Sequence, residues 1–250
     1  MSYVICTSPR SGSTMLCKLL SATGIAGNPA SHFHEPSIDA WFGYYDLNKH
    51  SFASEQAALN AIFAAAFRVG QGGTGIFGLR LQRDSFQFFA DQIKLLHPCK
   101  ATDRERMEAV FGNTQFIYLK RESHLDQAIS RLRAEQTGLW HRNADGTDLE
   151  RKEPTYEAGY DYGKIQAFAQ QAVEQNEEWV QWFAKQSIAP ITITYEELSR
   201  RPQAFLSVIL TSLGLDASIA ENVPLKTAKL ADETNLAWRT RFVAETKAGL

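Results

Sequence analysis

Tyr3-Val4-Ile5-Cys6-Thr7-Ser8-Pro9-Arg10-Ser11-Gly12-Ser13-Thr14-Met15-Leu16 is the stretch that decides how this chain folds. Its first five residues read as a short buried strand that stops at the turn residues Ser8 and Pro9. From Ser13 the spacing becomes helical, with Met15, Leu16, Leu19 and Leu20 on one face and Gly24 as the stop. A strand that enters a helix through such a turn leaves free N–H groups and the positive end of the helix dipole beyond the carboxyl edge of a sheet. Open α/β sheets bind anions there. Gly12 allows close backbone approach, and Ser13 and Thr14 offer hydroxyls. The turn is like a P-loop but lacks the leading glycine, and Ser13 stands where a kinase has lysine. Arg10 is therefore the only cation within it. The plainer alternative is an ordinary strand-to-helix turn with a capping hydroxyl.

The rest of the chain repeats the strand–helix alternation. Ser54 can cap a helix with the face Leu59, Ile62, Phe63, Ala66 and Phe67, closed by Gly70. Gly75–Leu81 is the next strand, Asp103 starts a helix that ends at Gly112, and Gln115–Leu119 is a strand followed by a helix to about Arg133. Tyr162–Lys185 is helical, Pro190–Thr194 is a β-branched strand, and Pro202–Leu213 is helical before Gly214. This order predicts an α/β, P-loop-like three-layer fold: a mostly parallel central sheet with helices on both faces, in one domain spanning 1–250. His141–Tyr160 and the charged tail after Pro224 read as surface or ligand-facing loops.

Composition narrows the function. With 250 residues, 44% hydrophobic and 22% charged, the chain matches an ordinary soluble domain. A net charge of −2 argues against nucleic acid or an anionic membrane as partner, so cations for an anionic ligand must be local. Cys6, Cys17 and Cys99 form no CxxC pair and imply neither zinc nor disulfides. No apolar run suits a signal peptide or membrane insertion, and a reducing cytoplasm is the expected compartment.

Pro9-Arg10-Ser11-Gly12-Ser13-Thr14 resembles the 5′-phosphosulfate loop of sulfotransferases. Arg121 followed by Ser130 matches the arginine and serine that hold the 3′-phosphate of the sulfuryl donor in that family, and Tyr195-Glu196-Glu197-Leu198 resembles the motif whose tyrosine lies near the adenine. Gln127-Ala128-Ile129-Ser130, Arg133-Ala134-Glu135-Gln136-Thr137, Trp140, the Trp179–Phe183 cluster, Leu230-Ala231-Asp232, Trp238 and Arg241-Phe242 are similar to the bacterial trehalose 2-sulfotransferase-like branch. The resemblance implies 3′-phosphoadenosine 5′-phosphosulfate as the donor and a hydroxyl of a carbohydrate or other small molecule as the acceptor. By physical analogy with phosphoryl transfer, the reaction is an in-line transfer in which Arg10 and the loop backbone steady the leaving oxygen. No acidic residue directly follows the strands at Tyr3 or Gln115 to hold Mg²⁺, so no metal is expected.

The base is the point of departure. The trehalose enzymes carry a catalytic glutamate two residues after a proline that follows the first helix; counted from Pro29, that position here is Ser31. His32, His34 and Glu35 stand close by. If Ser31–Pro36 is extended, His32 and His34 point away from Glu35 and only one type reaches the cleft; the expectation favours Glu35, with His34 as the other candidate. Trp41, Phe42, Tyr44 and Tyr45 are either core or a sugar-stacking surface, and Arg80 and Arg83 are candidates to line the cleft. Arg142, Arg151 and Lys152 read as a lid or a subunit contact, which leaves a homodimer open. Two other readings fit the turn: a P-loop kinase of a small hydroxyl compound, and a nucleotide-binding protein without catalysis.

Overall fold

The protein was analysed as a computed structural model that describes residues 1–142, 145–153, 156–225 and 232–249. In chain order its first elements are β1 (Ser2–Thr7), α1 (Ser13–Ala22), α2 (Ile38–Tyr44), α3 (Glu55–Gln71), β2 (Phe77–Gln82), α4 (Arg83–Leu96), α5 (Asp103–Phe111) and β3 (Thr114–Lys120). They are followed by α6 (His124–Thr137), the strands β4 (Leu139–Arg142) and β5 (Asp148–Arg151), α7 (Tyr162–Lys185), β6 (Ile191–Thr194), α8 (Tyr195–Arg200), α9 (Pro202–Ser212) and α10 (Glu233–Ala248).

Four strands form a sheet in the order β2-β1-β3-β6, every neighbouring pair parallel. Val4 lies opposite Leu79 on one side and Phe116 on the other. Because successive side chains on a strand point to opposite faces, Val4, Cys6, Leu79, Phe116 and Tyr118 enter one core. That core is completed by α3, α4, α5 and the Trp179-Trp182-Phe183 end of α7. Tyr3, Ile5, Ile117, Leu119 and Ile193 enter the other, against α1, α8 and α9. A third cluster, with Ile129, Leu132, Ile165 and Trp238, ties α6 to α7 and α10. The sheet is thus covered on both faces, as the strand–helix alternation predicts.

Three local expectations change. Ser54 does cap α3, accepting from the Ala57 N–H at 3.2 Å, but the helix runs past Gly70 to Gly72. Gly70 is small for a packing reason: a Cβ there would press on the Phe77 ring and the Gly78 carbonyl. The charged tail contains α10, held by a capping box at Asp232 and by ion pairs Arg133–Asp232 (2.7 Å) and Arg239–Asp126 (2.7 Å) to α6. The polar stretch after Gly138 holds the antiparallel pair β4–β5.

One connection matters for function. After α1 the chain returns beside β2: Ala30 forms a parallel bridge with Leu79, and the Arg80 N–H donates to the Ala30 carbonyl at 3.0 Å. The segment from Ser31 onward is thereby delivered to the carboxyl edge of the sheet.

Candidate functional site

A cleft of about 970 Å³ opens at the carboxyl ends of the strands, over the N-terminus of α1. Pro9, Arg10, Gly12, Ser13 and Thr14 line it. Ser11 does not: it is fully buried, its hydroxyl bonds that of Thr7, and Thr7 in turn donates to the Leu119 carbonyl at 2.8 Å. Ser11 thus braces the turn from beneath. Gly12 sits at the helix N-cap with φ 84, and a Cβ there would run into the Tyr195 ring. The turn and Tyr195, two distant parts of the chain, are therefore in van der Waals contact.

Arg121, just past β3, stands over the same Tyr195 ring at 4.8 Å and reaches the Arg10 carbonyl at 3.4 Å. Its Nε is buried and makes no hydrogen bond; the nearest carboxylate oxygen, Glu196 Oε1, lies 3.8 Å away. Glu196 itself accepts the Glu122 N–H at 3.1 Å. Arg10 has a left-handed backbone, φ 63, which turns its side chain toward α6. Its Nε donates to Ser130 Oγ at 3.0 Å and its Nη1 to the Trp140 carbonyl. Burial, with the Arg121 charge beside it, pushes the Arg10 pKa down to about 10, so the group stays charged at neutral pH. Burial also lowers Arg121. Two partly desolvated guanidiniums, a serine hydroxyl and a helix N-terminus thus converge on one end of the cleft, a donor set suited to phosphate.

The other end is built on β2. Arg80 donates from Nε to Ser31 Oγ and from Nη1 to Thr14 Oγ1, both at 2.8 Å. Thr14 also meets His141 Nε2 at 2.9 Å. Burial, with Arg10 and Arg80 nearby, pushes the His141 pKa down to about 3, so this imidazole is neutral. Ser31 is a hydrogen-bond acceptor for Arg80.

The expectation for the neighbouring loop needs correction. Residues 31–36 are turns, not an extended strand: the His32 N–H donates to the Ala30 carbonyl and the Ser37 N–H to the Glu35 carbonyl. Alternation therefore does not separate the candidates, and His34 and Glu35 both line the cleft. His32 has a packing role. It is 6% exposed, stacks on Phe77, meets the Asn28 carbonyl at 3.1 Å, and burial pushes its pKa down to about 4. Burial, then Lys152 and Arg80, lowers the His34 pKa. Tyr44, raised by burial and by the Glu35 charge, stands beside Glu35, and Tyr45 donates to the His32 carbonyl at 2.7 Å. Trp41 and Phe42 are core, whereas Tyr44 and Tyr45 face the cleft. Arg83 turns away to Glu178 at 2.8 Å.

Gln82 and Asp84 are cleft residues that were not foreseen, and His141 and Glu150 lie in the stretch 141–160 read as surface or ligand-facing loop without being singled out. Asp84 opens α4 directly beyond β2, where the rule that ligands bind past strand carboxyl ends would have placed it had the helix start been marked. It opens to solvent yet lies in a concavity, so burial raises its pKa against the pull of Arg131, His34 and Arg83. Glu150 and Lys152 come from the β4–β5 hairpin, which overhangs the cleft with Trp140. Leu230 and Ala231 lie outside the described residues. Among the described residues no three His, Cys, Asp or Glu side chains stand together as metal ligands, and no helix is long and apolar enough to cross a membrane.

Comparison with known proteins bears on this arrangement. Two trehalose 2-sulfotransferases are similar over almost the whole length. The one from Mycobacterium tuberculosis (strain ATCC 35801 / TMC 107 / Erdman) is 27% identical over 97% of this chain and 94% of its own. The one from Mycolicibacterium smegmatis (strain ATCC 700084 / mc(2)155) is 26% identical over 96% and 94%. A solved sulfotransferase domain of the Synechococcus PCC 7002 olefin synthase covers 86% of this chain and 74% of that one at 14% identity and a TM-score of 0.39, too distant to carry weight. The Stf0 sulphotransferase model matches residues 2–245. This chain belongs to the Stf0 sulphotransferase family and is a sulfotransferase.

Proposed function

We propose that the protein, working as one domain, transfers a sulfuryl group from 3′-phosphoadenosine 5′-phosphosulfate to a hydroxyl of a small, carbohydrate-containing acceptor without a metal. The observation that carries this reading is the meeting of Arg10, Arg121, Ser130 and Tyr195, from four separate segments, at the N-terminus of α1. The buried, unpaired Nε of Arg121 fits it: such a donor is costly unless a ligand oxygen accepts it, and a nucleotide with a separate 3′-phosphate brings that oxygen. The trehalose named for both mycobacterial relatives makes a sugar the first acceptor to try.

The donor supplies an activated sulfuryl group whose bond to the nucleotide's phosphate oxygen breaks as the acceptor oxygen attacks. The chain's work is to position and to balance charge. The N–H groups of Gly12–Thr14 and the α1 dipole hold the 5′-phosphate, and Tyr195, wedged between Gly12 and Arg121, presents its ring to the adenine side. Arg121 and Ser130 take the 3′-phosphate. Arg10 gathers the negative charge that grows on the leaving oxygen. Glu35, the favoured base, takes the acceptor's hydroxyl proton; His34 is the alternative, since its lowered pKa keeps it neutral and able to accept a proton. Incubation with ³⁵S-labelled donor and trehalose, beside ATP–Mg²⁺ controls, tests the reading. Label transferred from the sulfate donor supports it; phosphate transfer from ATP alone would oppose it.

A further inference from the structure

The sheet order β2-β1-β3-β6 divides the cleft. On the donor reading given above, on which this inference rests, the nucleotide lies over the turn after β1, Arg121 after β3 and Tyr195 after β6. The carboxyl end of β2, at the opposite edge, is left for the acceptor. Arg80, Gln82 and Asp84 line the cleft there. Arg80 is already engaged by Ser31 and Thr14. The other two are not fully engaged. Gln82 Oε1 is buried with no hydrogen-bond partner. Asp84 takes the Gln175 amide on Oδ1, which leaves Oδ2 and the remaining lone pairs for a ligand.

We propose that Asp84, together with Gln82, selects the acceptor, the carboxylate accepting hydrogen bonds from neighbouring hydroxyls of an uncharged polyol. Gln82 Oε1 is buried and unmet, which is costly, and a hydroxyl that reaches it removes the cost; Asp84, open to solvent, adds a second acceptor beside it. Such a site discriminates strongly, because a ligand lacking the hydroxyl leaves the protein group unpaired. The charge of the ligand follows from the same strand end. Arg80 and Asp84 set one charge of each sign at this strand end, so neither sign of acceptor gains a net attraction and a neutral molecule is accommodated. Tyr44 and Tyr45, which also line the cleft, offer ring surface to the C–H face of a sugar. Arg131 and Arg83 are the charged neighbours of Asp84, and with the neutral His34 beside it they oppose the burial that raises its pKa.

The test uses the whole protein and a panel of trehalose, glucose and myo-inositol against 4-nitrophenol and 1-hexanol, with labelled sulfate donor. The polyols should be sulfated and the phenol and alkanol should not. D84N, which keeps the shape but removes the charge and turns one accepting oxygen into an N–H donor, should raise the polyol KM about tenfold or more while kcat stays within about threefold, the pattern of lost ground-state binding. Q82A, measured in parallel in case D84N is unstable, should raise KM in the same direction. Affinity for adenosine 3′,5′-bisphosphate should be unchanged in both. Turnover of 4-nitrophenol or 1-hexanol but of no polyol overturns the proposal, as do no polyol turnover at all and unaltered kinetics in both variants. A collapse of kcat with KM unchanged also overturns it, by making Asp84 the base. A parent protein that fails to bind the bisphosphate fails the donor reading instead.

Discussion

Gly12→Ala probes the contact between the turn and Tyr195. The backbone at Gly12 is left-handed, and an alanine held there costs about 1–2 kcal/mol. Its Cβ would also lie 3.0 Å from Tyr195 Cε2 and closer still to Cδ2, and overpacking of that kind adds about 1–3 kcal/mol. The ring cannot move freely, because the Arg121 guanidinium is 4.8 Å from its centre. The sum, about 2–5 kcal/mol, divides between two observables. Strain that persists in the free protein appears as lost stability; strain relieved by relaxing the turn must be restored on binding and appears as lost affinity. Denaturant unfolding and calorimetry with adenosine 3′,5′-bisphosphate, added together, should recover the total. Gly12→Ala combined with Tyr195→Ala should return the overpacking share and leave the backbone share, a coupling that a double-mutant cycle isolates. If stability and affinity together change by less than about 0.5 kcal/mol, as for an inert surface site, the account of the turn is wrong.

Arg121→Ala should weaken adenosine 3′,5′-bisphosphate at least about tenfold and leave AMP almost untouched, since only the former brings a 3′-phosphate to the guanidinium. Arg10→Ala should lower turnover more than donor affinity, because the charge it meets grows in the transition state; a large loss of affinity at unchanged turnover would count against that role. Glu35→Gln should lower turnover by roughly 10²–10⁴ with donor binding intact, and His34→Asn should be milder. The pH profile separates the two. An imidazole acts in its neutral form, so His34 as base would hold activity from neutral pH downward and lose it as pH falls through a pKa below the ordinary 6.5. An acid limb that vanishes in His34→Asn would make histidine the base.

The fold was legible where two periodicities meet across a punctuated turn. β1 into α1 is announced by Ser8-Pro9, and α5 by Thr102, whose capping box with Glu105 fixes its start. α7 follows a capping Asp161 and ends where it was expected. Other elements were missed. α4 begins straight after β2 with no side-chain cap at Gln82, although Phe86, Phe89, Ala90, Ile93 and Leu96 form a regular apolar face. α10 buries only Trp238 and is held by charged pairs with α6, so its sequence carries no apolar stripe. The hairpin β4–β5 is half-exposed and lacks strict alternation. The site divides in the same way. Arg10, Gly12, Arg121, Ser130 and Tyr195 stand in ordered motifs, and all gather at one end of the cleft. The other end depends on Ala30 pairing with Leu79 and on turns at 31–36, long-range and loop geometry that spacing does not encode. Asp84 was hidden with the start of α4.

Calorimetric titration of the whole protein with adenosine 3′,5′-bisphosphate, AMP and ATP–Mg²⁺ at one ionic strength tests the central claim most directly. With Arg121 and Ser130 on a 3′-phosphate and Arg10 beside the 5′-phosphate turn, the bisphosphate should bind at least about tenfold tighter than either of the others. Equal affinity for the bisphosphate and AMP, or a preference for ATP–Mg²⁺, would contradict the assignment of this cleft to the sulfuryl donor.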